Sequence, residues 1–169
     1  MKKSYIERAQ NFMIRYIKWC EKNGYPYNER GAIMHYCYLR SNRRMVVKYA
    51  AGCCRASFIT SDYCIKIEFK GAYVNDYGGN DSEIWAWENY IKGSGFEYLF
   101  AKPTEFSYNG CYCEIMPRIK GVGTGGNYVR YYLNEEECEF VDNYFDDMHM
   151  NNYGFKNKRP VIIDYAYQY

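Results

Sequence analysis

Three polar residues near the carboxyl end of the chain have the types and the order needed to handle a metal-bound phosphate. They are Asp147, Asn152 five residues later, and Asp164, which ends the apolar segment Val161-Ile162-Ile163. Carboxylate and amide oxygens are hard ligands of the kind that Mg²⁺ prefers. Phosphoryl transfer needs such ligands and a carboxylate at the attacking hydroxyl, because its catalysis consists of positioning and charge neutralisation.

The elements that would position these residues follow from periodicity and turn signals. Ser4 with Glu7 is typical of a capping box, and the helix that it opens should stop at Gly24. Further elements are predicted in chain order: a helix at 28–39, strands at 45–49, 54–59 and 63–69, a helix at 81–91, strands at 104–108 and 111–116, and a helix at 134–147. Asn109-Gly110 between the last two strands is a strong hairpin signal. The pattern predicts an α+β fold with a five-stranded antiparallel sheet.

The spacing of Asp147, Asn152 and Asp164 and the order of the predicted elements together resemble the protein-kinase-like superfamily. In that family the catalytic loop reads D-x-x-x-x-N, as at Asp147 and Asn152, and a metal-binding strand ends in Asp, as at Asp164. The resemblance implies a small lobe over 45–118 and a rudimentary second lobe over 119–169. Residues 1–44 would form a helical extension outside the family fold.

The resemblance also implies roles for individual residues. Asp147 would orient the hydroxyl group that attacks ATP, whereas Asn152 and Asp164 would hold Mg²⁺ on its phosphates. His149 stands where aminoglycoside and other small-molecule phosphotransferases of the superfamily often have histidine. Two roles are open for it: contact with a phosphate, or a hydrogen bond to the nearby backbone.

Lys66 is the candidate for the lysine that contacts the nucleotide phosphates. Strand alternation places it on the face opposite the isoleucines on either side, where an ordinary strand lysine would face solvent. In the family this lysine pairs with a glutamate of the following helix, for which Glu83 and Glu88 are available. Glu88 has Lys92 four residues on, the pattern of an exposed ion pair, so Glu83 is predicted to face inward. Gly52 is the only glycine left at the phosphate-covering turn.

Several features depart from the family pattern. Phe145-Asp146 precedes Asp147 in place of the usual His-Arg or His-Gly, and Asp164 is followed by Tyr-Ala in place of Phe-Gly. The chain ends at Tyr169, so we expect neither an activation segment nor a conventional peptide-substrate groove.

Two other segments have residue types that bind phosphate. The glycine-rich segment 121–126 lacks the Lys-Ser/Thr and the strand–helix order of a phosphate loop, so a flexible connector is favoured. A basic series from Arg40 to Arg55 is interpreted as a solvated edge of the sheet, with a phosphate-binding patch as the alternative.

Composition limits the binding partners and the cellular compartment that the sequence predicts. With 22 basic and 20 acidic residues, the charge balance predicts neither nucleic-acid nor membrane binding. The 22 tyrosines suit half-buried strands or a protein-binding surface, or they reflect a biased genome. The eight cysteines form no C-x-x-C pair, which favours free thiols in a cytoplasmic protein.

The sequence therefore supports a hypothesis and two alternatives. The hypothesis is an ATP–Mg²⁺-dependent phosphotransferase of minimal kinase-like fold, of viral or mobile-element origin and acting in the host cytoplasm on an unspecified acceptor. The first alternative is a pseudokinase-like binding module that engages or inhibits a host protein without catalysis. The second is a structural or assembly protein. The oligomeric state is not predicted.

Overall fold

The computed structural model describes residues 4–41, 47–52, 54–70, 79–123, 128–145 and 148–165. The chain forms two compact units, and both are discontinuous in sequence. The first comprises Met1–Val74 and Thr104–Arg118, and the second comprises Asn75–Pro103 and Ile119–Tyr169. The chain therefore passes from one unit to the other three times.

The first unit contains two helices and one five-stranded antiparallel sheet of order β1-β2-β3-β5-β4. Its elements are α1 (Tyr5–Asn23), α2 (Arg30–Ser41), β1 (Lys48–Ala51), β2 (Arg55–Ile59), β3 (Tyr63–Glu68), β4 (Thr104–Tyr108) and β5 (Cys111–Pro117). The five strands and their antiparallel pairing confirm the prediction. Within the described residues, β1 begins at residue 48, and residues 45 and 46 of the predicted strand lie outside them.

One face of this sheet is covered by α1 and α2. The aromatic side chains of the two helices meet Phe58 of β2 edge to face, with ring centroids 5.0 Å from Phe12 and 4.9 Å from Tyr16. Ile65 and Ile67 of β3 lie in the same buried cluster. The helices that the sequence placed outside the family fold thus supply half of the core of this unit.

Local signals explain the ends of these elements. Ser4 and Glu7 form the predicted capping box, in which each side chain bonds the backbone of the other residue. Asn109 and Gly110 have φ angles of 47° and 75°, as a tight hairpin turn between β4 and β5 requires. Both predictions are confirmed.

The second unit is built from short elements around an aromatic core. They are α3 (Asn80–Ala86) with a π-helical turn at Trp87–Ile91, 3₁₀ turns at Glu97–Leu99 and Val129–Tyr132, α4 (Glu135–Tyr144), β6 (Tyr153–Lys156) and β7 (Arg159–Ile162). Phe100 lies at the centre, 5.0 Å from Phe145 and 5.2 Å from Tyr165 between ring centroids. β6 and β7 pair as a hairpin.

Other predictions have mixed outcomes. The helix predicted at 81–91 is present, and α4 occupies the core of the segment predicted at 134–147. Because α3 belongs to the second unit, its predicted place across the sheet stays a prediction, as does the division at residues 44 and 118. All the cysteines in the described ranges are free thiols, and Cys53 lies outside those ranges. No helix of the described chain is long and apolar enough to cross a membrane.

Candidate functional site

The second unit brings together the two predicted metal ligands. The hairpin register pairs Tyr153 with Ile162, which places Asn152 and Asp164 just beyond the paired strands. The carbonyl oxygen of Asn152 accepts hydrogen bonds from the backbone N–H of Ile163 at 2.7 Å and of Asp164 at 3.4 Å. Both predicted ligands are half-buried. Residues twelve positions apart in sequence are therefore backbone neighbours in the fold.

A tight turn sets this register. Asn157 and Lys158 have positive φ angles of 52° and 67°, and they connect Lys156 directly to its partner Arg159. Two consecutive positive φ angles are typical of the two-residue turns that match the twist of a hairpin. The polar turn in the sequence thus decides which residue stands opposite Asn152.

His149 is held in the loop that precedes Asn152. Its Nδ1 accepts a hydrogen bond from the Asn151 N–H at 3.2 Å, and its carbonyl oxygen accepts one from the Asn152 N–H at 2.9 Å. Of its two predicted roles, the hydrogen bond to nearby backbone is therefore observed, and contact with a phosphate stays a prediction. Asp147, the predicted catalytic carboxylate, lies outside the described residues.

The segment 119–123 supports this loop and the hairpin. Gly123 donates a backbone hydrogen bond to the carbonyl oxygen of Met150 at 2.9 Å, and Lys120 accepts one from Phe155 at 2.7 Å. Gly154 is needed where these chains meet, because a Cβ there would lie 2.5 Å from the Lys120 carbonyl oxygen. The described part of the glycine-rich segment is thus a packing partner of the predicted catalytic loop.

In the first unit, Lys66 is buried on the sheet face opposite the helices. Its residue is only 6 % exposed, unlike an ordinary strand lysine at a surface. In the ladder it stands between Ser57 of β2 and Glu114 of β5. Opposed residues of an antiparallel pair project from the same face, so these three side chains share one surface.

Glu114 is a residue that the sequence analysis missed. It is fully buried, and one of its oxygens lies 3.9 Å from Nη1 of Arg55. Arg55, interpreted from the sequence as part of a solvated edge, is therefore largely buried and in an ion pair. The sequence signal was a carboxylate within an apolar strand, and the pairing of β3 with β5 places it on the Lys66 side.

The charged groups on this face shift the pKa of the Cys64 thiol. Burial raises the pKa of Cys64, and the nearby Glu114 carboxylate adds to the rise. Lys66 and Arg118 act in the opposite direction, as does a hydrogen bond with Ser57. Cations and a carboxylate on this face thus shift the pKa of the same half-buried thiol in opposite directions.

The other predicted site residues, Glu83 and Gly52, differ in burial and in their contacts. Glu83 is fully buried on α3, one turn after the equally buried Asn80. Because Lys66 belongs to the first unit and Glu83 to the second, their ion pair stays a prediction. Gly52 is exposed in the β1–β2 turn, where its carbonyl oxygen accepts a hydrogen bond from Arg30 at 2.9 Å. Its contact with a nucleotide also stays a prediction.

The side-chain types at the end of the hairpin, an amide and a carboxylate, are ones that Mg²⁺ accepts as ligands. Mg²⁺ is usually bound by one or two side-chain oxygens, several waters and the phosphates of a substrate. Asn152 and Asp164 offer two oxygen donors from adjacent backbone positions. In the described ranges, no group of three or more His, Cys, Asp or Glu side chains could hold a metal ion.

Comparisons with known proteins identify no family for this chain. No protein-family profile, no curated protein and no solved structure matches this chain.

Proposed function

We propose that this chain is an ATP–Mg²⁺-dependent phosphotransferase of minimal kinase-like fold. The observation that carries the proposal is the backbone pairing of Asn152 with Ile163 and Asp164, at 2.7 and 3.4 Å. It brings an amide and a carboxylate to the end of one hairpin, in the chain order that the family resemblance requires.

Each residue has a role in the proposal. Asn152 and Asp164 hold the metal ion, which neutralises charge on the phosphates when it is bound. The predicted role of Lys66 is that of the phosphate-binding lysine, and burial strengthens the electrostatic interaction of a lysine with an anion. Asp147 accepts the proton of the acceptor hydroxyl group. The chain order of three strands, a helix and two further strands supports the comparison with the kinase small lobe.

Nucleotide binding is tested first by thermal unfolding of the purified chain with ATP and MgCl₂. A ligand at about 100 times its Kd stabilises a protein by about 2.7 kcal/mol, which is readily measured as a rise in Tm. Asp164→Asn should lose the Mg²⁺-dependent rise. Asp142→Asn is the control, because Asp142 is exposed and forms a surface ion pair with Arg130 at 2.9 Å.

Phosphate transfer is tested next with γ-labelled ATP, scoring the chain itself, water and a host extract as acceptors. Asp147→Asn should keep the rise in Tm and lose the transfer, because Asp147 acts on the acceptor and not on the metal. If millimolar ATP with Mg²⁺ leaves the Tm of the wild type unchanged, the proposal is wrong.

A binding module that engages a host protein is the second candidate, and an exposed aromatic group in the second unit favours it. Tyr128 and Tyr131 are 59 % and 71 % exposed around the 3₁₀ turn. Tyrosine offers large contact area at low entropic cost and is enriched in protein interfaces. In this alternative, Asp164→Asn would retain partner binding, whereas a double Tyr128→Ser and Tyr131→Ser variant would lose it.

A further inference from the structure

We propose that the outer surface of the two helices of the first unit is a docking surface for an anionic lipid bilayer. The helices lie side by side on one face of the sheet, since α1 contacts β3, β4 and β5, and α2 contacts β1 and β2. Their outward side chains are here called the helix platform: Arg15, Lys18 and Lys22 of α1, and Met34, Tyr38 and Leu39 of α2. The inference needs no nucleotide site and does not depend on the proposed function.

The α1 part of the helix platform is basic. Arg15, Lys18 and Lys22 recur at intervals of three and four residues, which places them on one side of the helix, away from its buried stripe. All three are exposed, and among the described residues they form no ion pair. The nearby carboxylates are engaged locally. Glu7 closes the capping box, and Glu21 accepts a hydrogen bond from the β4–β5 turn at 3.0 Å.

The α2 part of the helix platform is apolar. Met34, Tyr38 and Leu39 are 50 %, 69 % and 40 % exposed. The segment Arg30–Ser41 contains no acidic residue, so no negative charge opposes the cations of α1 from this helix. Large apolar side chains exposed close together mark an interaction surface, whereas single ones scattered over a protein do not.

Aromatic rings connect the basic part with the apolar part. Trp19 of α1 meets His35 of α2 edge to face, with ring centroids 5.4 Å apart. Trp19 also stacks on Tyr25 of the connecting segment at 5.2 Å. Trp19 directly follows Lys18, and His35 directly follows Met34, so the cations and the apolar side chains belong to one continuous surface. Tryptophan and tyrosine are typical of the membrane–water interface.

The combination of cations with exposed apolar side chains favours an anionic bilayer as the partner. Lysine and arginine are attracted to acidic lipid headgroups, and apolar side chains insert at the boundary of the acyl region. Nucleic acid would match the cations but offers no apolar interior to Met34 and Leu39. A protein partner would need a groove shaped to these side chains, whereas a fluid bilayer adapts to them. The nearly balanced charge of the whole chain predicted no membrane binding because it averages over this local asymmetry.

The first test is sedimentation of the purified chain with vesicles of phosphatidylcholine alone or with about 30 % phosphatidylserine. We expect binding that requires phosphatidylserine and weakens as salt is added. Replacing Lys18 and Lys22 by glutamine should weaken it about fivefold for each lysine. The control replaces Lys156 and Lys158, which are exposed on the β6–β7 hairpin of the second unit. Equal binding to both kinds of vesicle, or an equal loss in the control, overturns the proposal.

A matched pair of tyrosines tests the insertion of apolar side chains. Tyr38 and Tyr131 are 69 % and 71 % exposed, but Tyr131 belongs to the second unit. Tyr38→Ser should weaken binding to phosphatidylserine vesicles about fivefold, and the double Met34→Ser and Leu39→Ser variant about tenfold. Tyr131→Ser should leave the affinity unchanged within about twofold. If Tyr38→Ser and Tyr131→Ser have the same effect, the helix platform does not insert.

Soluble polyanions provide the last discrimination. At the same concentration of anionic groups, polyglutamate or a single-stranded oligonucleotide should displace less than about half of the chain from the vesicles, since neither offers an apolar phase. Complete displacement by either would identify a general polyanion surface and overturn the proposal. All the substituted side chains are exposed, so the variants should keep the wild-type Tm. If a serine variant fails to fold, the lysine variants and the salt dependence decide the outcome.

Discussion

Replacing Gly154 by alanine tests the packing that holds the hairpin beside the predicted metal ligands. The added Cβ would lie 2.5 Å from the carbonyl oxygen of Lys120, 2.8 Å from Cγ2 of Ile119 and 3.1 Å from Cγ2 of Val122. The nearest atom belongs to the backbone and cannot rotate away. Because Cβ contacts under 3.0 Å essentially do not occur, the two chain segments must separate by at least the difference of 0.5 Å.

That separation has two energetic components. Overpacking a buried site typically costs about 1–3 kcal/mol. The hydrogen bond from the Phe155 N–H to the same Lys120 oxygen, now 2.7 Å long, is stretched by the same movement. Weakening it adds up to about 1 kcal/mol. We therefore expect Gly154→Ala to lower the free energy of unfolding by about 1–4 kcal/mol.

The assay is urea and thermal unfolding followed by far-UV circular dichroism. For a chain of this size each kcal/mol lowers the Tm by about 2–4 °C. Gly31→Ala is the matched control, because a Cβ at that position of α2 meets nothing within 4 Å. The control should be neutral or more stable by up to about 1 kcal/mol. If Gly154→Ala is within about 0.5 kcal/mol of the wild type, the close approach is not as described.

Three further predictions concern the first unit. Phe58→Ala should cost about 3–5 kcal/mol in urea unfolding, since the ring is fully buried between the helices and the sheet, and a loss below about 2 kcal/mol would contradict that packing. Gly110→Ala should cost about 1–2 kcal/mol in the same assay because its φ is 75°, and an unchanged urea midpoint would show that the turn adopts another conformation. Burial raises the pKa of Cys37 and of Cys111 from 9.0 to about 12, so these thiols ionise more easily in the unfolded chain. Stability should therefore fall as the pH rises from about 9 to 12, and a flat urea midpoint across that window would refute the burial of both thiols.

Local signals made much of the first unit predictable from sequence. The Ser4 and Glu7 side chains act within one helical turn, and the Asn109-Gly110 turn acts within one hairpin. Strand alternation correctly separated Lys66 from the isoleucines on either side. Each of these signals depends on neighbours in sequence, so no tertiary information was needed.

The proposed metal-ligand pair was predictable as residue types but not as geometry. The spacing between Asn152 and Asp164 allows many separations, and the positive φ angles of Asn157 and Lys158 decide the register that unites them. Positive φ angles are uncommon outside glycine, and lysine is a poor indicator of them. The sequence therefore named the two candidate ligands, whereas the turn geometry places their backbones together.

Residues whose role depends on distant partners were missed. Glu114 stands out in the sequence only as a carboxylate within an apolar strand, and its position opposite Lys66 follows only when β3 and β5 are known to be adjacent. The helices α1 and α2 likewise have an amphipathic pattern, which predicts that one face is buried but does not identify the surface against which it packs. The π-helical turn at Trp87–Ile91 has no local signal comparable to a helix cap.

The interrupted order of the first unit has a consequence for synthesis on the ribosome. β3 emerges with one edge unpaired, and its partner β5 begins only at residue 111, after the chain has entered and left the second unit. At about 5–20 residues per second, this edge waits for roughly 2–9 s. An open edge beside apolar Ile65 and Ile67 is a template for wrong pairing with another nascent chain. Lys66, in the middle of that strand, is then a charge that discourages such aggregation.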